Sequence, residues 1–123
     1  MGGVVIGYEI GRLLEKETIF SERVEGQFKL RRDFKIPIKS KVLIVEDVIT
    51  TGKSSIECSK LVDVSGGEVI GFACLIDRSN GNSSINKKII SQVKINILTY
   101  NEKDLPKALA TLPAVKPGSR ELK

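Results

Sequence analysis

Four consecutive apolar positions, Val42, Leu43, Ile44 and Val45, are followed at once by the acid pair Glu46-Asp47. An apolar run of that length predicts a strand buried on both faces, as in a parallel sheet. A second run, from Val69 to Ile76, predicts another, and Ile95 to Leu98 a third, shorter one. Between and around them the apolar spacing changes to a helical period. Ile6, Ile10, Leu13 and Leu14 recur that way near the start, Ile56, Leu61 and Val62 in the segment 54–64, and Leu105, Ala108, Leu109 and Leu112 near the end. Strands alternating with helices predict an α/β fold.

The small and breaking residues punctuate this pattern. Gly3, Gly7 and Gly11 recur every fourth residue, which places them on one helix face and predicts close backbone approach there, since glycine otherwise weakens a helix by about 1 kcal/mol. Thr18-Ile19-Phe20 reads as a strand, and the stretch from Val24 to Asp33 as a polar loop or open hairpin around Gly26. Pro37 breaks the chain ahead of the apolar run at 42–45, and Gly66-Gly67 closes the second helix. The expected organisation is one domain over residues 1–112 and a loose C-terminal tail over 113–123, which contains Pro117 and Gly118.

The chemistry is concentrated after the first strand. Glu46 and Asp47 are acceptors placed to hold sugar hydroxyls, and Val48 and Ile49 lead from them into Thr50, Thr51, Gly52, Lys53, Ser54 and Ser55. Gly52 permits a tight turn, so several backbone N–H groups can converge on a phosphate at the start of the following helix. The order describes a site for a phosphorylated sugar. A Walker A loop is excluded because only Gly52 precedes Lys53 and the acids stand where the first glycine is required. An ordinary capped helix, with Thr51 or Ser54 as N-cap, is the plainer alternative.

Composition narrows the partners. The net charge of +5 is focused between Glu22 and Lys41, where seven basic residues face three acids. That stripe carries neither a nucleic-acid-binding motif nor interleaved aromatics, so a small anion is the better match and nucleic acid is not expected. No apolar run approaches a membrane span, which makes a membrane an unexpected partner and the cytoplasm the expected location. Two cysteines, Cys58 and Cys74, do not make a disulfide framework, and without histidine there is no usual zinc set.

The segment Glu46-Asp47-Val48-Ile49-Thr50-Thr51-Gly52-Lys53-Ser54 resembles the 5-phosphoribosyl 1-diphosphate (PRPP) signature of the type I phosphoribosyltransferases. Taken with Gly2-Gly3-Val4-Val5-Ile6-Gly7-Tyr8-Glu9, the stretch from Glu22 to Arg32, Asp77-Arg78 and Lys116-Pro117-Gly118-Ser119-Arg120, it is similar to the orotate phosphoribosyltransferase branch. The resemblance implies a three-layer α/β/α fold with a mostly parallel sheet, acting on PRPP and orotate with Mg2+ held through PRPP, in a homodimer. It also implies roles. Glu46 and Asp47 would bind the ribose hydroxyls as the catalytic acids, residues 50–54 the 5-phosphate, and Thr50 and Arg78 the orotate. Gly2, Gly3, Arg23, Lys29 and Arg31 are candidates for pyrophosphate or loop contacts, with Arg32 beside them. In the family a substantial segment precedes the Gly2-Gly3 turn; this sequence starts at Met1 within that turn, so the expectation is an N-terminally truncated domain with little activity by itself. The readings that would compete are a noncatalytic PRPP-binding module and a purine or uracil phosphoribosyltransferase.

Overall fold

The computed structural model describes residues 2–113 and residue 115. Three strands, β3 (Lys41–Ile49), β4 (Glu68–Asp77) and β5 (Ile89–Lys94), form an all-parallel sheet in the order β3-β4-β5. Helix α1 (Gly2–Leu14) packs on one face of β3, and α2 (Lys53–Val64) covers the other face of the sheet. The result is the expected three-layer α/β/α arrangement. A separate antiparallel hairpin, β1 (Ser21–Val24) and β2 (Gln27–Leu30), lies against α2.

The core sits between the sheet and α2. Ile44, Ile49, Val62, Val69, Phe72 and Cys74 are buried there, with Ile36, Val42, Cys58, Ile85 and Ile89 packed around them. Each fully buried large apolar side chain contributes roughly 1.5–3 kcal/mol. Register keeps that face consistent: Val42 pairs with Val69 but Leu43 with Gly71, so Ile70 is an extra residue in β4. This bulge puts Val69 and Phe72 on one face although they are three apart. On the opposite face α1 covers β3, while Ile70, Leu75 and Ile90 remain 52%, 44% and 58% exposed.

Helix α2 ends as its glycines predict. Ser65 is the C-cap, Gly66 has φ +87°, the Gly67 amide donates to the Val62 carbonyl and the Gly66 amide to that of Asp63. These are the two bonds of a Schellman motif. The glycine face of α1 behaves as its spacing predicts as well. Gly3 abuts the Val45 backbone, and Gly7 and Gly11 abut Thr18, whose hydroxyl donates to the Gly7 carbonyl at 3.2 Å.

That last bond explains one departure. Residues 18–20 are not a strand, because Thr18 is drawn onto α1 and Phe20 stacks edge-on against Phe34, 5.2 Å between centroids. Pairing begins at Ser21, opposite Leu30. The open-hairpin reading around Gly26 holds, with Glu25 and Gly26 both at positive φ in a two-residue turn. The third strand lies at Ile89–Lys94, earlier than the expected 95–98: β4 ends at Asp77 opposite Lys94, leaving the later residues no ladder beyond the Ile95 amide bonded to the Asp77 carbonyl. The last helix is reduced to α3 (Lys107–Ala110), following a 3-10 turn (Glu102–Asp104). Its apolar residues Leu105, Leu109 and Leu112 stay exposed, so there is no packed face to sustain it. The Lys116-to-Arg120 segment, and most of the expected tail, lies outside the described residues.

Candidate phosphosugar site

The motif strand runs further than its apolar core. β3 continues through Glu46, Asp47 and Val48 to Ile49, so both carboxylates are still on the strand near its carboxyl end. In a parallel sheet that edge is where ligands bind. A cleft of about 190 Å³ opens there, lined continuously by residues 46–55.

Helix α2 enters this cleft without a side-chain cap. Its N-cap is Gly52, in the left-handed region at φ +78°, and no side chain closes the helix end. The Thr51 hydroxyl accepts from the Lys53 amide only at 3.4 Å, and the first intrahelical bond runs from the Ile56 amide to the Gly52 carbonyl at 2.9 Å. The plainer reading, a helix capped by Thr51 or Ser54, is therefore not what forms. Amides 53–55 precede that first bond and carry the positive end of the helix dipole, an arrangement suited to an anion.

The Glu46 carboxyl is held above the ordinary carboxylate range by burial, and secondly by the charge of Asp47 beside it. Asp47 is exposed and accepts from the Val48 amide at 2.8 Å. Neither carboxylate takes part in an ion pair among the described residues. Gly2 and Gly3 form the first turn of α1 rather than a separate loop, and both press against these acids. A Cβ on Gly3 would stand 2.7 Å from the Val45 carbonyl oxygen and 3.5 Å from Glu46 Oε2; one on Gly2 would overlap the Asp47 carboxylate.

Arg78 does not line the cleft; it leaves β4 at the same sheet edge. Its amide donates to the Ile49 carbonyl at 2.8 Å. Asp77 is not its ion-pair partner, since that carboxylate accepts from Ser79, whose hydroxyl and amide hold it below the ordinary range. Arg78 thus has no carboxylate partner among the described residues.

The hairpin cations lie elsewhere. Arg23 pairs with Glu57 of α2 at 2.6 Å and sits 4.3 Å over the Phe28 ring, while Arg31 and Arg32 share the carboxylate of Glu22. None of them reaches the cleft in this arrangement. Lys29 is in no ion pair among the described residues. Both thiols, Cys58 and Cys74, are pushed up by burial and are poor nucleophiles. Among the described residues no three acidic, histidine or cysteine side chains converge on a metal position.

The sequence pattern did not disclose the neighbours of the turn. The Ser84 amide donates to the Thr51 carbonyl at 3.0 Å, and Ile85 lies directly over Gly52. Nothing in local periodicity could couple residues that far apart.

Known proteins resemble this chain in sequence and in fold. The chain is 48% identical over 120 residues to an orotate phosphoribosyltransferase of Rhizorhabdus wittichii, a match covering 98% of this chain and 61% of that protein. It is 50% identical over 120 residues to the orotate phosphoribosyltransferase of Novosphingobium aromaticivorans, covering 98% and 62%. The chain therefore spans about three fifths of the length of these relatives. In fold it is similar to the orotate phosphoribosyltransferase of Aeropyrum pernix, with TM-score 0.57, 23% identity and coverage of 76% of this chain and 55% of that one. An adenine phosphoribosyltransferase from Thermoanaerobacter pseudethanolicus superposes with TM-score 0.60 at 21% identity, over 77% and 66%. The phosphoribosyl transferase domain family matches residues 2–106, nearly all of the described chain with its acid pair and glycine turn, and the chain belongs to that family.

Proposed function

We propose that this chain carries the PRPP site of an orotate phosphoribosyltransferase, which transfers the phosphoribosyl group to orotate to give orotidine 5-monophosphate and pyrophosphate in pyrimidine biosynthesis. One observation carries the reading. The acids at the end of β3 and the uncapped amides of α2 open into one cleft, so a sugar and its phosphate can be held together. Identities of 44–50% to proteins named orotate phosphoribosyltransferase support orotate as the base.

In this reading Glu46 and Asp47 accept hydrogen bonds from the ribose hydroxyls, and residues 50–54 donate to the 5-phosphate. Thr50 and Arg78 meet the orotate, the planar guanidinium suiting a carboxylate through two bonds. The bond from C1 to pyrophosphate breaks as the bond to orotate N1 forms, and the leaving pair stays on pyrophosphate. Positive charge developing on the sugar is stabilised by the two acids, which are complementary to it without acting as nucleophiles. Mg2+ would be held through PRPP, beside the acid pair, which is in no ion pair among the described residues. When bound, Mg2+ neutralises diphosphate charge. Gly2, Gly3 and the hairpin cations Arg23, Lys29 and Arg31 are the candidates for the pyrophosphate side, the latter after movement of the hairpin. The working form is a cytoplasmic homodimer acting on small molecules. The uncovered residues Ile70, Leu75 and Ile90 support a protein neighbour. No helix among the described residues is long and apolar enough to cross a membrane.

The test is ligand protection. Magnesium and PRPP at about a hundred times the dissociation constant add roughly 2.7 kcal/mol of stability, read as a raised melting temperature. Titration of the PRPP-loaded protein with orotate, adenine, guanine and uracil then assigns the base. No shift with PRPP at millimolar concentration removes the reading, and preference for another base moves it to a purine or uracil enzyme.

A further inference from the structure

The loop that follows Arg78 is tied within itself and meets the phosphate turn at two points, through Ser84 and Ile85. Asp77 accepts from the Ser79 amide at 2.8 Å, the Ser79 hydroxyl from the Gly81 amide at 3.2 Å, and the Ser79 carbonyl from the Asn82 amide at 2.8 Å. Asn80 and Gly81 both have positive φ, which turns the chain back toward β3. After the turn, the Ser84 amide donates to the Thr51 carbonyl at 3.0 Å. The side chain of Ile85 then occupies the space behind Gly52: a Cβ there would lie 2.7 Å from Ile85 Cγ1 and 2.9 Å from Cδ1. Gly52 lines the cleft and Ile85 does not. Ile85 also packs against the buried core, so its position is fixed from below.

We propose that Ile85 is a positioning residue for the phosphate-binding turn, bracing Gly52 in its left-handed conformation so that the α2 amides stay aimed into the cleft. The inference rests on the PRPP reading of that cleft, and deepens it by assigning the rigidity of the turn to a loop distant in sequence. The physical need is clear from Gly52 itself. A glycine has more backbone freedom than any other residue, and a turn whose Thr50 and Thr51 are exposed and whose helix has no side-chain cap depends on what packs over its buried Gly52. Contact with a branched side chain and one backbone bond from Ser84 removes that freedom before a ligand arrives, which is preorganisation.

The experiment compares Ile85→Ala and Ile85→Val with the unchanged chain. Ribose 5-phosphate is the binding probe, and backbone amide hydrogen exchange without ligand is the second readout. Ile85→Ala is expected to weaken ribose 5-phosphate about tenfold, in line with the steep cost of misplacing groups by an ångström, and Ile85→Val to restore most of the loss. Without ligand, exchange in Ile85→Ala is expected to rise at Ile56 and Ser84, whose amides donate to the Gly52 and Thr51 carbonyls, while the β4–β5 amides stay as they were. A merely structural role would raise exchange throughout the sheet instead. Unchanged exchange at the turn overturns the proposal whatever binds. Equal ribose 5-phosphate affinity in a folded Ile85→Ala chain overturns it too. If the unchanged chain fails to bind ribose 5-phosphate, the PRPP reading falls and the exchange data still decide the brace. Should Ile85→Ala not fold, Ile85→Val carries the same comparison at smaller amplitude.

Discussion

A Cβ placed on Gly3 would stand 2.7 Å from the carbonyl oxygen of Val45, so the first turn of α1 rests on the backbone of the motif strand with no room for a side chain. Backbone cannot swing aside as a side-chain tip can. Gly3→Ala is therefore expected to cost about 1–3 kcal/mol through overpacking and to displace α1 from the acids. Gly7→Ala is the control. Its Cβ would meet Thr18 Cγ2 at 3.6 Å, an ordinary contact, and alanine gains up to about 1 kcal/mol of helix propensity. Urea unfolding of the two variants checks this; equal midpoints would mean that α1 is free to shift on β3.

The pH dependence of stability follows from Glu46. Burial and Asp47 keep its folded pKa above the ordinary value of 4.5, so between the unfolded and folded values the native state binds more protons. Stability contributed by this group is thus present at low pH and lost as pH rises through that window. Glu46→Gln removes the loss. The variant is expected to melt higher than the unchanged chain near neutral pH, with the gap closing below the ordinary carboxylate range, while PRPP affinity falls. Thermal melts across pH decide it: a Glu46→Gln chain that melts lower at neutral pH, or a gap independent of pH, would show that the carboxylate is satisfied in the fold.

Asp47 offers the sharper functional contrast. It is exposed at the cleft, and Asp47→Asn is expected to reduce PRPP affinity roughly tenfold or more, since hydrogen bonds to a charged group are worth about 1.5–3 kcal/mol. Glu25→Gln, at the hairpin tip with φ +50°, is expected to leave affinity unchanged. Calorimetric titration of both with PRPP and magnesium makes the comparison. Equal effects would assign the acid pair a structural role.

The parts of the site that could be read in the sequence are those made by neighbours along the chain. Residues 46–55 are contiguous, and a strand, a glycine turn and a helix start are local events, so the cleft they line follows from their order. The alternation of apolar runs and helical periods likewise predicts the three layers, and Gly66-Gly67 the end of α2. What the sequence did not reveal depends on contacts made at a distance. Thr18 leaves its expected strand because Gly7 offers a carbonyl eleven residues away. The third strand takes its bounds from β4 rather than from its own most apolar stretch, and Ile97 and Leu98 remain 44% and 71% exposed beyond it. Charge in a basic segment gives no direction, either: Arg23, Arg31 and Arg32 are engaged by Glu57 and Glu22, which only the fold brings to them.

Arg78 gives the last test, because its position separates the base from the sugar. It follows the end of β4, is tied by its amide to Ile49 at the end of β3, and has a guanidinium that Asp77 does not claim. Arg78→Ala keeps the backbone amide, so the bond to Ile49 and the turn it supports are expected to survive. Loss of a two-pronged contact with the orotate carboxylate is expected to weaken orotate by about ten- to a hundredfold, the equivalent of roughly 1.5–3 kcal/mol for bonds to a charged group. PRPP affinity is expected to stay within about twofold, since additivity holds for sites with no shared partners. Arg78→Lys distinguishes charge from geometry: a lysine keeps the charge and loses the planar fork, so partial recovery at best is expected. Orotate titration of the PRPP-loaded variants reads both outcomes. Undiminished orotate binding in Arg78→Ala would remove this residue from the base site, and a parallel loss of PRPP would show that it acts through the turn instead.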